Sequence, residues 1–323
     1  MSIETYAAFS TNTEQRIASS SGGVFSLIAQ TVLQYNGAVY GVAMTEDCRS
    51  AEFIRVEDEE SLSKLRGSKY FQARVGKIYH YVKTDLENGK SVLFSGTICQ
   101  INGLKNFLNK DYSTLYCVDV ICHGVPSQML WQKYVDYIEM RYNSKLESVN
   151  FRCKDQGWTL FGMKEKLGRQ VVFSSLVMDP FMIMFLRNYG LRPSCYQCVA
   201  KNDKRSDLTI ADFWGINRVA PEMNDEKGTS LVIVRSEKGK KLYKDIQAQV
   251  VDKVVGYEDG VRSNPAESHS AQRPVERNLF YNDLEKLSFQ QMIKKYCKPE
   301  KLPIKVRLKK LSRTIVRFMN GGE

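Results

Sequence analysis

Apolar positions change period repeatedly along the chain, and each change marks an element. After Ser19-Ser20-Ser21-Gly22-Gly23, the positions Val24, Phe25, Leu27, Ile28 and Leu33 recur at helical spacing. They predict a helix whose first turn lies at Gly22 and Gly23 and which ends at Asn36-Gly37. Ala38 to Met44 then reads as a strand. Val75, Ile78, Tyr79, Val82 and Leu86 mark an amphipathic helix that stops at Asn88-Gly89. Ser91 to Gly96 is a short apolar strand, Gln100 to Leu108 a helix with Ile101, Leu104, Phe107 and Leu108 on one face, and Leu115 to Ile121 a second strand. Strand, helix and strand in close succession predict a βαβ unit with parallel strands. Its ligand edge is the carboxyl end of those strands, where Gly96-Thr97-Ile98-Cys99 and Cys122-His123-Gly124 emerge.

Gln128 to Tyr142 reads as a helix, with Leu130, Tyr134, Tyr137 and Ile138 inward. Val149 to Ser174 carries a strand pattern and predicts an antiparallel meander. Phe181 to Leu186 is a short apolar helix, and Arg192 to Ser206 a basic loop bearing cysteines. Leu208 to Gly215 and Thr229 to Ser236 return to strands, and Glu237 to Gln249 to helix. Further helices are predicted near Val275 to Leu287 and Ile304 to Met319. The fold class expected is α/β with α+β character: a mixed sheet containing the βαβ unit, an antiparallel extension and a C-terminal helical segment. No clean boundary divides residues 1–300, and residues 301–323 form a separate basic amphipathic helix.

That last helix accounts for much of the charge. The 323 residues carry a formal net charge of +11, and Lys305, Arg307, Lys309, Lys310, Arg313 and Arg317 lie within it. Ile304, Leu308, Leu311, Ile315 and Phe318 form its apolar stripe. Such a helix either packs on the main domain or lies in an anionic membrane interface. Basic residues do not interleave with aromatics along one face, so no nucleic-acid partner is expected. No apolar stretch is long enough to span a bilayer, and the N-terminus shows no secretory signal. The expected location is the cytoplasm, with peripheral membrane contact as the alternative.

Eight cysteines are many for a chain of that location, where clustered thiols bind metal or do redox chemistry more often than they form disulfides. Cys195 and Cys198 form a CxxC. Cys99 and Cys122, distant in sequence, emerge at one sheet edge. If the Cys195 loop covers that edge, four thiolates converge, which suits zinc or a 4Fe-4S cluster. One tight pair with two scattered ligands leans toward a cluster embedded in the fold. Alternatively, Cys99 and Cys122 are small buried hydrophobes. Cys117 reads as core, Cys153 as structural, and Cys48 and Cys297 have no partner signal. His123 is a ligand, a proton donor or a satisfied strand-end residue.

The serine-glycine run ahead of a helix suits phosphate, because glycines admit close approach and a helix start offers free amides; a plain cap is the alternative. Arg66-Gly67-Ser68-Lys69-Tyr70 adds a loop glycine, a hydroxyl, cations and an aromatic ring. Neither a Walker A motif nor GxGxxG is present.

Together these motifs carry a resemblance. SSSGGVFS, RGSKYFQA, LFSGTICQINGLK, VDVICHGVPS, KDQGW, RPSCYQC and SDLTIADFWGI stand in the order found in the coenzyme F-420 hydrogenase/dehydrogenase beta-subunit family, over the stretch from Arg16 to Ile233. RPSCYQC and DFWGI resemble the bacterial branch found among polysaccharide-biosynthesis genes. The resemblance implies FAD and a 4Fe-4S cluster held by Cys99, Cys122, Cys195 and Cys198. It implies flavin contacts from Ser20, Ser21, Gly22 and Gly23, from Gly67, Ser68, Lys69 and Tyr70, and from Thr97, with Trp158 and Asp212 near the site. His123 and Lys154 are the candidate catalytic groups. The ferredoxin-like module that precedes many bacterial relatives is not seen in this chain, which implies a separate ferredoxin-like electron donor. The family usually has proline where this chain has Ile98.

The function expected is an oxidoreductase that passes electrons between a one-electron donor and a small-molecule two-electron substrate, with a sugar nucleotide or glycan precursor the substrate class in view. The alternatives are a non-catalytic redox partner subunit and a zinc-stabilised binding protein.

Overall fold

The computed structural model describes residues 3–298; the basic helix expected over 301–323 lies outside the described residues. In chain order the strands are β1 (Glu4–Ser10), β2 (Ala38–Met44), β3 (Ala51–Val56), β4 (Ala73–Arg74), β5 (Val92–Thr97), β6 (Leu115–Val120), β7 (Leu146–Cys153), β8 (Gly162–Leu167), β9 (Gln170–Ser175), β10 (Leu208–Asp212), β11 (Ser230–Val234) and β12 (Val250–Val254). The helices are α1 (Thr13–Ala18), α2 (Val24–Gln34), α3 (Glu59–Leu62), α4 (Ile78–Glu87), α5 (Ile98–Leu108), α6 (Gln128–Tyr142), α7 (Pro180–Leu186), α8 (Ile216–Val219), α9 (Glu237–Ile246), α10 (Tyr257–Val261), α11 (Arg277–Lys286) and α12 (Phe289–Tyr296). Nine strands form one mixed sheet in the order β12-β1-β11-β10-β6-β5-β2-β3-β4, and β7-β8-β9 form a second, antiparallel one. The expected fold class is the observed one.

At the centre of the large sheet, β2, β5, β6 and β10 run parallel. Their alternation sorts side chains to opposite faces. Val39, Leu93 and Val118 pack with α2 and α9 residues such as Ile28 and Leu242. Tyr40, Phe94 and Cys117 face the other way, onto Ile101 of α5, Trp131 of α6 and the small sheet's Phe151. Burying each such aliphatic side chain contributes roughly 1.5–3 kcal/mol. Toward β1 and β11, Ala7, Leu231 and Ile233 pack instead with Trp158 and Phe213. The small sheet thus lies against the first of these regions, and the β7–β8 loop carries Trp158 into the second.

The βαβ unit forms as expected, with α5 starting two residues earlier, at Ile98. Thr97 fixes that start: its N–H and its hydroxyl both donate to Gln100 Oε1, at 2.8 and 3.0 Å. Ile98 is the first helical residue, the position where proline is most favoured, and its side chain is buried. The helix expected to begin at Gly22 begins at Val24, because Gly23 adopts φ 87° and ends the preceding loop. Strands β1, β3, β4 and β12 and helix α12 go beyond the elements that the apolar pattern predicts.

Candidate functional site

In the register of β5 and β6, Thr97 lies opposite Val120. Cys99 and Cys122 each follow two residues later, so both leave the sheet at the same edge. Cys99 sits in the first turn of α5, its Sγ 3.1 Å from Thr97 Oγ1. The segment after Cys122 is bonded to the loop that carries the other pair. Pro126 bridges Leu191, and the Arg192 N–H donates to the Val125 carbonyl at 3.0 Å. In return the Val125 N–H donates to Cys195 Sγ at 3.4 Å. Lys201 Nζ donates to the Cys122 carbonyl at 2.9 Å and also to that of Ala266. The Cys198 N–H donates to Ser270 Oγ at 2.8 Å.

Cys122 and Cys195 are raised in part by neighbouring thiols. Burial pushes Cys122 up to about 12, and charge on Cys99 and Cys195 adds to the shift. Cys195 is raised by burial first, then by Cys99 and Cys198 among other causes. Lys201 counters them, its charge favouring thiolate at Cys122. The four remaining cysteines lie elsewhere: Cys48, Cys117 and Cys153 are buried, and Cys297 donates to the Pro180 carbonyl at 3.6 Å. Among the described residues, no three His, Cys, Asp or Glu side chains gather tightly enough for a single metal ion.

His123 is held by Asn188 and Phe185. Its Nε2 is 2.6 Å from Asn188 Oδ1, its ring stands edge-on to Phe185, and burial lowers its pKa. Phe185 stacks on Tyr70 at 5.2 Å between centroids, and Tyr70 also meets Phe151 edge-on. A short run of rings therefore leads from beside Cys122 toward the second feature, a cleft.

The cleft is about 280 Å³ and is lined by Ser20, Met44, Ser63, Arg66, Gly67, Ser68, Lys69 and Asn150, among others. It joins the serine-glycine loop to the Arg66–Tyr70 loop. Of the serine-glycine residues, Ser19 and Ser20 line it. Ser21 Oγ donates to the Thr229 carbonyl at 2.9 Å, and the Gly22 N–H donates to Ser230 Oγ at 3.0 Å. A Cβ on Gly22 would collide with the Ala8 carbonyl and lie 2.9 Å from the Ser230 nitrogen. Gly22 is thus required by strand packing, whatever else it does. The volume falls short of the roughly 300–1,000 Å³ usual for a whole cofactor. It suits a part of one, such as a diphosphate between hydroxyls, loop amides and the Arg66 guanidinium. Ser63 and Asn150 carry no motif in the sequence. Arg66 was legible, since it opens the motif containing Gly67 and Ser68; Asn150 comes from a strand with no local signal.

The Lys69 and Lys154 ammonium groups are engaged by the backbone. Each ammonium donates to three backbone carbonyls. Trp158 is fully buried, stacked on Trp214 at 5.2 Å, and donates to Asp212 Oδ1 at 2.9 Å. Asp212 also accepts from Arg152 at 2.6 Å. Arg152 in turn lies 3.4 Å over the Phe161 ring. Trp158 and Asp212 build the wall behind β7 and β10.

Comparison with known proteins adds the remaining observation. Residues 5–79 match the N-terminal region, and residues 89–258 the C-terminal region, of the coenzyme F420 hydrogenase/dehydrogenase beta subunit. The chain belongs to this beta-subunit family. The division between the two regions falls at α4, yet β5 of the second pairs with β2 of the first, so both contribute to one sheet. Among solved structures, the fold is shared with a chain of the F420-reducing [NiFe] hydrogenase complex from Methanosarcina barkeri, at 14% identity, 91% coverage of each chain and a TM-score of 0.52. Membership of this beta-subunit family places the protein among the subunits of redox enzymes.

Proposed function

We propose that this protein is an FAD- and 4Fe-4S-dependent oxidoreductase that passes electrons between a ferredoxin-like one-electron donor and a two-electron small-molecule substrate. The observation that carries the reading is the gathering of Cys99, Cys122, Cys195 and Cys198 from three chain segments at one sheet edge. One CxxC pair with two ligands from separate strand ends leans toward a cluster embedded in the fold rather than a structural zinc site. The Val125 N–H on Cys195 and the Lys201 ammonium beside Cys122 would offset the negative charge of such a site. In the cleft, Ser20, Ser68 and Arg66 would hold the flavin diphosphate. When bound, the flavin supplies the exchange between one-electron and two-electron transfer. His123, held by Asn188 and kept neutral by burial, orients the ring path between the two centres.

A sugar nucleotide or glycan precursor is the substrate class favoured by the sequence branch. No described helix is long and apolar enough to cross a membrane, in keeping with a cytoplasmic or membrane-peripheral place. The test is anaerobic purification with an absorption spectrum and with iron and flavin counted per chain. Arg66→Glu should lose flavin and keep iron. Protein that binds zinc and neither cofactor would overturn the reading, and bound cofactors without turnover of any hydride acceptor would make it a redox partner.

A further inference from the structure

Lys154 and Lys69 stand on either side of the cleft's two loops. Lys154 Nζ donates to the carbonyls of Arg16 at 2.7 Å, Ser21 at 2.8 Å and Lys227 at 2.8 Å. These belong to α1, the serine-glycine loop and the turn ahead of β11. Lys69 Nζ donates to the carbonyls of Lys64 at 3.1 Å, Leu65 at 3.2 Å and Arg66 at 2.8 Å. An ammonium has three N–H groups and no more. Both lysines are saturated, which leaves no donor for a phosphate oxygen or for a substrate.

We propose that Lys154 and Lys69 are positioning residues, each clamping one of the two loops that meet at Ser20 and Ser68 and so shaping the walls that receive the cofactor diphosphate. This rests on the flavin reading above. The surroundings of Lys154 support a clamp. Arg16 is fixed by paired bonds to Asp225 at 2.9 and 2.6 Å, by a bond to the Gly228 carbonyl at 2.8 Å, and by contact with the Phe9 ring. Its carbonyl is therefore a rigid anchor. Gly228, at φ 105°, comes so close that an added Cβ would lie 2.7 Å from the Ser21 carbonyl oxygen and 3.1 Å from Lys154 Nζ. Lys154 thus ties Ser21 from the face opposite its hydroxyl bond to Thr229. Ser20 remains at the cleft wall, its hydroxyl joined to Ser68.

Saturation by neutral carbonyls also makes the clamps sensitive to pH. Burial lowers both amines to about 7. Around Lys154, Asp212 and Asp225 oppose that shift, while Arg16 and Arg152 reinforce it. A neutral amine keeps two donors for three carbonyls.

The experiment compares Lys154→Met, Lys154→Arg and Lys69→Met with the parent protein, measuring hydrogen exchange without FAD and affinity for FAD by quenching of its fluorescence. Arginine replaces lysine well at a phosphate, but its planar fork cannot surround one point with three donors. The expected result is faster exchange over 19–23 in both Lys154 variants and over 66–70 in Lys69→Met. FAD affinity should fall roughly tenfold or more in all three. Unchanged exchange, or a Lys154→Arg protein that binds FAD like the parent, overturns the proposal. If the parent binds no FAD, the flavin reading fails while exchange still decides the clamp. If the methionine variants do not fold, the parent decides alone. Its protection over 19–23, corrected for intrinsic rate, should fall between about pH 6 and 9, and a flat profile ends the idea.

Discussion

Ser20 Oγ accepts the Ser68 N–H at 3.0 Å and lies 3.2 Å from Ser68 Oγ, joining two loops 48 positions apart in sequence. Each serine also lines the cleft. Ser20→Ala removes the acceptor and leaves the Ser68 amide unpartnered, at a cost of about 1 kcal/mol. Ser68→Ala keeps its own amide bond to Ser20 and loses only a hydroxyl. Fluorescence titration with FAD should therefore show Ser20→Ala weakened more than Ser68→Ala. Equal, undiminished affinity in both would detach this cleft from the flavin.

The thiol edge makes a sharper prediction. Cys99→Ala, Cys122→Ala, Cys195→Ala and Cys198→Ala should each lose most of the iron bound on anaerobic reconstitution. Cys117→Ala should keep it. Cys117 lies inside β6, fully buried on the face that meets Phe94, with burial raising its thiol to about 12. Its loss opens a small void and should cost only about 1 kcal/mol. Iron retained in full by the Cys195 variant would remove that residue from the ligand set.

Legibility followed how local the signal was. The limits of β2 and α6 coincide with those expected, because turn residues and apolar period agree there. The edge that brings Cys99 to Cys122 followed from βαβ geometry alone. Strand β1 has no clear local signal, because its sequence, ETYAAFS, is short and mixes small residues, and its pairing with β11 and β12 is defined only by distant partners. Lys154 and Lys69 were legible as cations within motifs. Sequence shows a cation in a motif, but not that three carbonyls from other segments already surround it.

Asp212 is the counter-charge of a buried guanidinium. The Arg152 side chain is 2% exposed, and its Nε has no hydrogen-bond partner among the described residues. Asp212→Ala would strand that cation and the Trp158 N–H together. Breaking a buried pair from one side costs about 3–5 kcal/mol, and Asp212 at 18% side-chain exposure places the cost near the lower figure. Urea unfolding should show the loss, with Asp212→Asn intermediate because its amide oxygen still accepts from Trp158. A midpoint unchanged in Asp212→Ala would mean that Arg152 finds another partner.

The last prediction concerns protons in the core beneath the small sheet. Tyr134 OH donates within reach of two carboxyls, Glu165 and Asp179, the latter at 2.8 Å. One phenol hydrogen cannot serve two carboxylates, so at least one carboxyl keeps its own proton. Burial, then the charge on Asp179, raises Glu165 from 4.5 to about 7, and burial raises Asp179 from 3.8 to about 6. Both folded-state values lie above the unfolded ones. The native state therefore holds protons that the unfolded chain has released, and this contribution is full below the unfolded values and lost as pH rises through about 6 to 7. Glu165→Gln keeps the bond to Tyr134 and removes one titration. Its unfolding free energy should exceed the parent's at about pH 8 by roughly 1–3 kcal/mol and should fall less steeply across the neutral range. Asp179 also caps α7 through the Met182 N–H at 2.8 Å, so Asp179→Asn should flatten the same slope while weakening the helix that carries Phe185. If the slope of stability against pH is the same in Glu165→Gln as in the parent, the shared proton is not there.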